Sequence, residues 1–113
     1  MQTVIDIHQV QTRDGALCLY AKSGVLLADV TRPVLLMIHG ALRDASVLFD
    51  WIQLCDSEFD VVFVDLPGHG RSPAIANATI ESFAENIGDA VTVALVNRAV
   101  VVVGESLGGL AVC

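Results

Sequence analysis

Basic residues, cysteines and long apolar runs are all scarce in this chain of 113 residues, and each shortage argues against a class of protein. Only six lysines and arginines oppose 13 acidic residues, for a formal charge of −7. No basic cluster forms the footprint of a nucleic-acid-binding protein, and the acidic balance disfavours anionic membrane surfaces. No run reaches the roughly 18 consecutive apolar residues that cross a bilayer. We therefore expect neither a nucleic-acid partner nor a membrane partner.

Cysteines are few, and the sequence patterns that commonly bind a metal or a nucleotide are absent. The three cysteines, Cys18, Cys55 and Cys113, are odd in number and widely spaced, unlike a disulfide framework or a zinc site. We interpret them as small buried hydrophobic residues. No pair of histidines or carboxylates has metal-ligand spacing on one helix face, and neither G-x-G-x-x-G nor a P-loop is present. We therefore expect no metal and no cofactor.

The first residues of the chain lack the parts of a secretory signal. Residues 1–6, Met-Gln-Thr-Val-Ile-Asp, contain neither a basic segment nor an apolar segment, and a signal peptide has both. A cytoplasmic location is therefore the expectation.

Hydrophobic residues, in contrast, make up 54% of the chain and give it a mean hydropathy of +0.65. The apolar runs are short, and the longest cover residues 33–38 and 99–103. Nearly continuous Val, Ile and Leu are typical of parallel strands buried on both faces of a sheet. The length suits one modest domain, so we expect residues 1–113 to belong to a single α/β domain.

The hydrophobic pattern predicts five strands. The first alternates apolar and polar residues as a half-exposed strand does, and Asp14-Gly15 is a hairpin turn signal before the second. The other three are apolar throughout. The predicted strands are residues 3–10, 16–21, 34–38, 61–64 and 100–103.

Two helices are predicted between the later strands, and a third begins at Leu107. Asp44 or Ser46 caps the first, which runs to about Leu54, and Thr79 caps the second. This alternation predicts parallel strands joined by right-handed crossovers. The buried face of the first helix is expected to hold Leu48, Trp51, Ile52 and Cys55, and that of the second Phe83, Ile87, Ala90, Val91, Ala94 and Leu95.

A motif rich in glycine follows each of the last three predicted strands. His39-Gly40-Ala41 follows the third, Asp65-Leu66-Pro67-Gly68-His69-Gly70-Arg71-Ser72 the fourth, and Gly104-Glu105-Ser106-Leu107-Gly108 the fifth. Open α/β sheets bind their ligands at the carboxyl ends of parallel strands. The pattern G-x-S-x-G between a buried strand and a helix predicts a nucleophile elbow, a sharp turn that exposes the serine oxygen.

With these three motifs at matching intervals, the chain resembles the α/β-hydrolase superfamily, particularly its bacterial esterase, lactonase and carbon–carbon hydrolase branches. The resemblance covers essentially all 113 residues, as the N-terminal part of the family's catalytic domain. It implies an α/β-hydrolase fold with a mostly parallel sheet. This chain would supply the first five strands, with an antiparallel N-terminal hairpin, and would be truncated after the nucleophile elbow.

The resemblance also implies a chemistry for the motifs. Ser106 would be the nucleophile, which attacks an acyl carbonyl and forms an acyl-enzyme. The backbone N–H groups of Ala41 and Leu107 would form the oxyanion hole. The substrate would be a small carboxylic ester, lactone or related acyl compound. The residues expected to line its pocket are His39, Gly40 and Glu105.

Other polar residues are interpreted as structural. The family's base follows its acid late in the chain, so His69 is expected to be a hydrogen-bonding strut and not the base. His39 is expected to brace the oxyanion loop, and Asp65 to accept N–H bonds within its own turn. Arg71 either meets a substrate carboxylate or anchors its loop through an ion pair. His8 is expected to face solvent.

Several alternatives remain at this point. Ser106 taken alone fits a helix cap, and the same fold also serves acyltransferases, cofactor-free haloperoxidases and non-catalytic binding proteins. In the family order, the acid and the base would follow Cys113. We therefore expect residues 1–113 alone to be marginally stable, to expose residues 100–103 as a bare apolar edge, and to show negligible turnover.

Overall fold

The computed structural model describes residues 4–27 and 32–112, with side chains as far as Gly109. Thr3, where the first strand was predicted to begin, and Cys113 lie outside these ranges. The chain order within them is three strands, a helix, a strand, a helix, a strand and a helix. The strands are β1 (Ile5–Thr12), β2 (Gly15–Lys22), β3 (Val34–Ile38), β4 (Asp60–Val64) and β5 (Val100–Gly104), and the helices are α1 (Trp51–Cys55), α2 (Ile80–Ala94) and α3 (Leu107–Val112).

The five strands form one sheet in the order β1-β2-β4-β3-β5. The β1–β2 hairpin is antiparallel, as the Asp14-Gly15 turn signal predicts, and β2 is antiparallel to β4. Strand β3 is parallel to both β4 and β5, because each connection between them carries a helix that returns the chain to the same end of the sheet. The predicted antiparallel N-terminal hairpin and the parallel later strands are therefore confirmed, and together they make a mixed sheet.

The register of the parallel strands brings the three motifs to the same end of the sheet, where β3, β4 and β5 have their carboxyl ends. Ile38 pairs with Val64 on one side and with Gly104 on the other. The residues that follow these positions are His39, Asp65 and Glu105. The three glycine-rich motifs therefore leave the sheet at the same level.

The sheet separates two apolar layers. On one face, alternate residues of β2 and β3 pack with α2, and on the other face the intervening residues pack with α1. Strands β3 and β4 are buried along their whole length, as expected for strands covered on both sides. Cys18 is fully buried in the second layer, and Cys55 packs at its margin half-buried, which agrees with the interpretation of these two cysteines as core residues.

Helix α2 begins and packs as its sequence predicts. The Thr79 hydroxyl accepts from the backbone N–H of Ser82, and the Ser82 hydroxyl accepts from the N–H of Thr79, which forms a capping box. Phe83, Ile87 and Ala90 lie in the core on the predicted face. The 3.6-residue period of the apolar side chains thus determines which side of the helix meets the sheet.

The helix predicted after β3 is wrong in detail. Asp44 caps it, accepting from the N–H of Ser46 at 2.9 Å, but the chain forms a short 3-10 helix over Ala45–Leu48 before α1 begins. Because a 3-10 helix has 3.0 residues per turn and an α-helix 3.6, the break shifts the phase of the later side chains. Trp51, predicted to be buried, is 45% exposed, while Leu48 and Ile52 are buried as predicted.

The aromatic contact on this face comes from Phe49 instead of Trp51. The Phe49 ring lies between those of Tyr20 and Phe63, with centroids 5.5 Å and 5.0 Å away. Tilted and edge-on aromatic contacts at these separations are favourable. They fix the short 3-10 helix, and with it residues 40–45, against the sheet.

The two edge strands differ in exposure from the centre of the sheet. In β1, Ile7 is exposed and His8 is half-buried, so His8 faces solvent only in part. In β5, Val101, Val102 and Val103 are each more than a third exposed. The described part of the chain therefore ends its sheet on a bare apolar strand, as predicted.

Candidate active site

Ser106 occupies a sharp turn between β5 and α3. Its φ angle is 53°, which lies in the left-handed region, and the residue is exposed. Such a backbone is uncommon for any residue other than glycine and persists only where the surroundings enforce it. The N–H of Gly108 donates to the carbonyl oxygen of Glu105 at 2.9 Å and closes the turn. The G-x-S-x-G segment thus has the strand–turn–helix conformation of a nucleophile elbow.

Two glycines allow this turn to pack tightly. A Cβ atom added to Gly108 would lie 2.6 Å from the carbonyl oxygens of both Ile38 and His39, and one added to Gly104 would overlap the backbone of Gly108. Atoms of real side chains do not approach backbone oxygens this closely. The absence of side chains at these two positions therefore lets α3 start directly against the ends of β3 and β5.

The segment 39–45, here called the 39–45 loop, runs alongside the elbow. The N–H of Glu105 donates to the carbonyl oxygen of Ile38 at 2.9 Å, which joins the bases of the two segments. A Cβ added to Gly40 would lie 3.3 Å from the Cβ of Ser106 and 3.1 Å from the Oε1 of Glu105. The loop backbone is therefore in near contact with the serine.

Several backbone N–H groups at this junction have no protein acceptor within the described ranges. They include those of Ala41, the residue after Gly40, and Leu107, the first residue of α3, together with those of Leu42 and Ser106. Free N–H groups beside a helix N-terminus favour negative charge on a neighbouring oxygen. The residues that sequence analysis selected as oxyanion donors thus lie on the two segments that meet at Ser106.

His39 is fully buried and holds the start of the 39–45 loop. Its Nε2 accepts from the N–H of Leu66 at 3.0 Å, so Nδ1 carries the proton and donates to the carbonyl oxygen of Gly40 at 2.6 Å. Burial lowers the pKa of this imidazole, and the Gly40 carbonyl opposes that shift in part. The fully buried ring braces the loop, and the expectation that His39 lines the substrate pocket stays a prediction.

The buried imidazole predicts a loss of stability in mild acid. The pKa of His39 in the folded state lies below its ordinary value of 6.5, so below about pH 6.5 the unfolded state binds the proton first. The stabilisation is therefore complete above pH 6.5 and decreases as the pH falls toward the folded-state pKa, by at most about 1.4 kcal/mol per pH unit. Urea unfolding of the full-length protein at pH 7.5 and 5.5 measures this change.

The matched variant is His39→Gln, whose amide oxygen can accept from Leu66 without titrating. We expect its free energy of unfolding to change less between the two pH values than that of the wild type. Equal changes in the two proteins would contradict a buried neutral imidazole at this position.

Asp65 fixes the other end of the 39–45 loop, a role that the sequence did not reveal. Its buried carboxylate accepts from the N–H of Arg71 at 2.9 Å, which is the predicted bond within its own turn. The same carboxylate accepts from the N–H of Ala45 at 2.8 Å and from the hydroxyl of Tyr20. Because these partners are far apart in sequence, only the fold brings them to Asp65.

The remaining candidates are placed as follows. His69 is half-buried, its Nδ1 lies 3.0 Å from the carbonyl oxygen of Pro67, and its ring centroid is 5.2 Å from that of His39. Between residues 4–27 and 32–112, no ion pair of Arg71 is found, so the proposed loop anchor is absent there. Glu105 instead pairs with Arg43, at 2.9 Å.

No complete catalytic triad is present in the part of the chain that the structure describes. None of its histidines forms a hydrogen bond with Ser106, and no group of three potential metal ligands occurs in this part. The longest helix there has 15 residues, and none of its helices has the length and hydrophobicity to span a bilayer.

Comparisons with known proteins match this chain to one family by sequence and by fold. A family model described as alpha/beta hydrolase fold matches residues 33–113. An uncharacterized hydrolase of Saccharomyces cerevisiae is 28% identical over 83 residues, which are 72% of this chain and 27% of the yeast protein.

Two solved structures illustrate the likeness in three dimensions. Carboxylesterase CesB from Bacillus subtilis has a TM-score of 0.78 and 28% identity, over 96% of this chain and 37% of its own. The N-acyl homoserine lactonase AidH has a TM-score of 0.77 and 25% identity, over 96% of this chain and 38% of its own. The chain thus spans between a quarter and two fifths of the length of these relatives.

Proposed function

Because the chain belongs to the alpha/beta hydrolase family, we propose that it is the nucleophile-bearing part of a serine hydrolase. The substrate would be a carboxylic ester, a lactone or a related acyl compound. The observation that carries the proposal is the left-handed turn at Ser106, which is exposed at the carboxyl end of the parallel strands. The N–H groups of Ala41 and Leu107, on the two segments that meet there, have no acceptor among the described residues.

The proposed reaction has two steps. The Oγ of Ser106 attacks the acyl carbon and loses its proton to a general base, and the bond from the acyl carbon to the leaving oxygen breaks with protonation of that oxygen. Water then attacks the acyl-enzyme, and the same base accepts its proton and returns it to the serine oxygen. This step releases the carboxylic acid product and the free serine. In enzymes of this fold the acid and the histidine follow the nucleophile in the chain, so both would come from the full-length protein after residue 113.

The oxyanion of each tetrahedral intermediate would be bound by the N–H groups of Ala41 and Leu107. Removing one such donor costs about 3–4 kcal/mol of barrier in a well-studied protease. The contact of Gly40 with Ser106 supports this assignment, because it brings the loop that carries Ala41 against the residue that precedes Leu107. His39 and Asp65 would act indirectly, by fixing the two ends of the 39–45 loop.

The acyl class of the substrate is supported by the named relatives. One is a carboxylesterase and another a lactonase, and both names describe hydrolysis at an acyl carbon. The His-Gly-Ala-Leu sequence of residues 39–42 differs from the glycine-rich HGGG form of the oxyanion loop. The proposal therefore does not depend on that form of the loop.

The proposal is tested by covalent labelling of the full-length protein. A fluorophosphonate reacts with an activated serine, and we expect mass spectrometry to find the adduct on the peptide that contains Ser106. Ser57 provides an internal comparison, since it is an exposed serine in a turn away from the elbow. A folded full-length protein that neither takes the label at Ser106 nor hydrolyses short-chain p-nitrophenyl esters would be a non-catalytic member of the family.

A further inference from the structure

An ion pair crosses the junction between the 39–45 loop and the elbow. The Nη1 of Arg43 lies 2.9 Å from the Oε1 of Glu105, the residue directly before the serine. Each side chain is a little under half exposed. The pair thus connects, from the solvent side, the two segments that carry the N–H groups of Ala41 and Leu107, which have no acceptor in the described part of the chain.

The middle of the 39–45 loop has few other attachments. His39 holds the carbonyl of Gly40 at one end, and Asp65 holds the N–H of Ala45 at the other. Between them, residues 41–43 are exposed, and Leu42 is 97% exposed with a φ of 62°. A non-glycine residue in the left-handed region tends to relax unless its surroundings hold it. The side chain of Arg43 provides that restraint on the active-site side.

Glu105 also places a negative charge near the reacting group. The Oε1 of Glu105 and the Cβ of Ser106 lie 3.1 Å and 3.3 Å from the position that a Cβ atom on Gly40 would take. The oxyanion that forms at this junction is repelled by a bare carboxylate and less so by one paired with a guanidinium. Arg43 therefore affects the reaction through both position and charge.

We propose that Arg43 and Glu105 are positioning residues, whose ion pair sets the separation of the two oxyanion donors and neutralises the carboxylate beside the nucleophile. This inference rests on the proposed function. The two substitutions should have different effects on the rate, because loss of Arg43 leaves an unpaired negative charge at the site and loss of the Glu105 charge does not.

The test is a double-mutant cycle in the full-length protein, with kcat and KM for a neutral ester. An exposed ion pair contributes up to about 1 kcal/mol, which corresponds to about a fivefold change in rate. We expect Glu105→Gln, which loses only the restraint, to lower kcat about threefold. Arg43→Gln also leaves the carboxylate bare, and about threefold for each of its two effects gives about tenfold, with KM nearly unchanged in both variants. Adding Glu105→Gln to Arg43→Gln removes the bare carboxylate, so the double variant should regain about threefold in kcat over Arg43→Gln alone.

Arg13 offers the matched control. It forms ion pairs of similar exposure with Glu85 and Asp89 of α2 and none with the 39–45 loop or the elbow, so Arg13→Gln should leave kcat unchanged. Equal thermal unfolding of the Arg43→Gln and Arg13→Gln proteins would exclude a general loss of structure as the cause.

The outcomes separate the two proposals. Ester hydrolysis by the wild type with additive or absent effects of the two substitutions would overturn the positioning role and leave the serine hydrolase in place. A double variant that is no faster than Arg43→Gln would also overturn it, since the charge argument requires recovery. Absence of hydrolysis and of labelling at Ser106 in the wild type would overturn the proposed function, and this inference with it.

Discussion

Replacing Ser106 with alanine is expected to lower kcat of the full-length protein by about 10⁴- to 10⁶-fold. The alanine cannot form the acyl-enzyme, so only the oxyanion donors and substrate binding would remain to accelerate the reaction. Hydrolysis of a p-nitrophenyl ester and labelling by a fluorophosphonate measure the loss. A residual rate within tenfold of the wild type would remove Ser106 from the proposed mechanism.

The same position tests whether the backbone is strained for a functional reason. Ser106 has a φ of 53°, which glycine adopts without a steric penalty. Ser106→Gly should therefore be as inactive as Ser106→Ala. Its free energy of unfolding in urea should exceed that of Ser106→Ala by about 0.5–1 kcal/mol. Ser57→Ala, in an exposed turn, should change neither activity nor stability. If Ser106→Gly were no more stable than Ser106→Ala, the backbone of the turn would hold no strain.

Gly108→Ala is expected to damage both stability and catalysis. Its new Cβ would meet two backbone carbonyl oxygens at 2.6 Å, and a backbone contact cannot be relieved by a change of rotamer. The start of α3 must move, at a cost of about 3 kcal/mol in the free energy of unfolding. Because Leu107 moves with it, a displacement near 1 Å should reduce kcat by about 100-fold. Urea unfolding and ester hydrolysis of the full-length protein measure the two effects.

Gly88 in α2 provides the opposite case with the same chemical change. A Cβ added there meets nothing within 4 Å, and alanine favours a helix interior over glycine by about 1 kcal/mol. Gly88→Ala should therefore stabilise the protein and leave kcat unchanged. If Gly108→Ala and Gly88→Ala had similar effects, the close packing of the elbow against β3 would be wrong.

Several features of the fold follow from local sequence and were predicted correctly. Thr79 caps α2 as predicted, because its side chain reaches the backbone N–H of Ser82 within one turn, which requires no distant partner. The apolar face of α2 and the buried strands follow from side-chain periodicity and burial alone. The family assignment depends on the same kind of signal, since its three motifs are short and continuous.

Prediction was weaker where local preference is modest and packing decides. The residues after Asp44 suit a single helix, yet the chain divides them into a 3-10 helix and α1. Packing of Phe49 between Tyr20 and Phe63 accompanies this break, and Trp51 is turned outward. A contact between residues that are distant in the sequence cannot be predicted from the local pattern of a single sequence.

By itself, the sequence determined the three strand-end motifs, the caps and the alternation of strands and helices, because each depends on neighbours a few residues away. Only the tertiary structure decided which residues meet at the candidate site: Gly40 against Ser106, Arg43 with Glu105, and Asp65 with Ala45. These contacts depend on the register of β3 with β4 and β5. That register is fixed by the packing of the whole sheet between its two apolar layers, and no short segment encodes it.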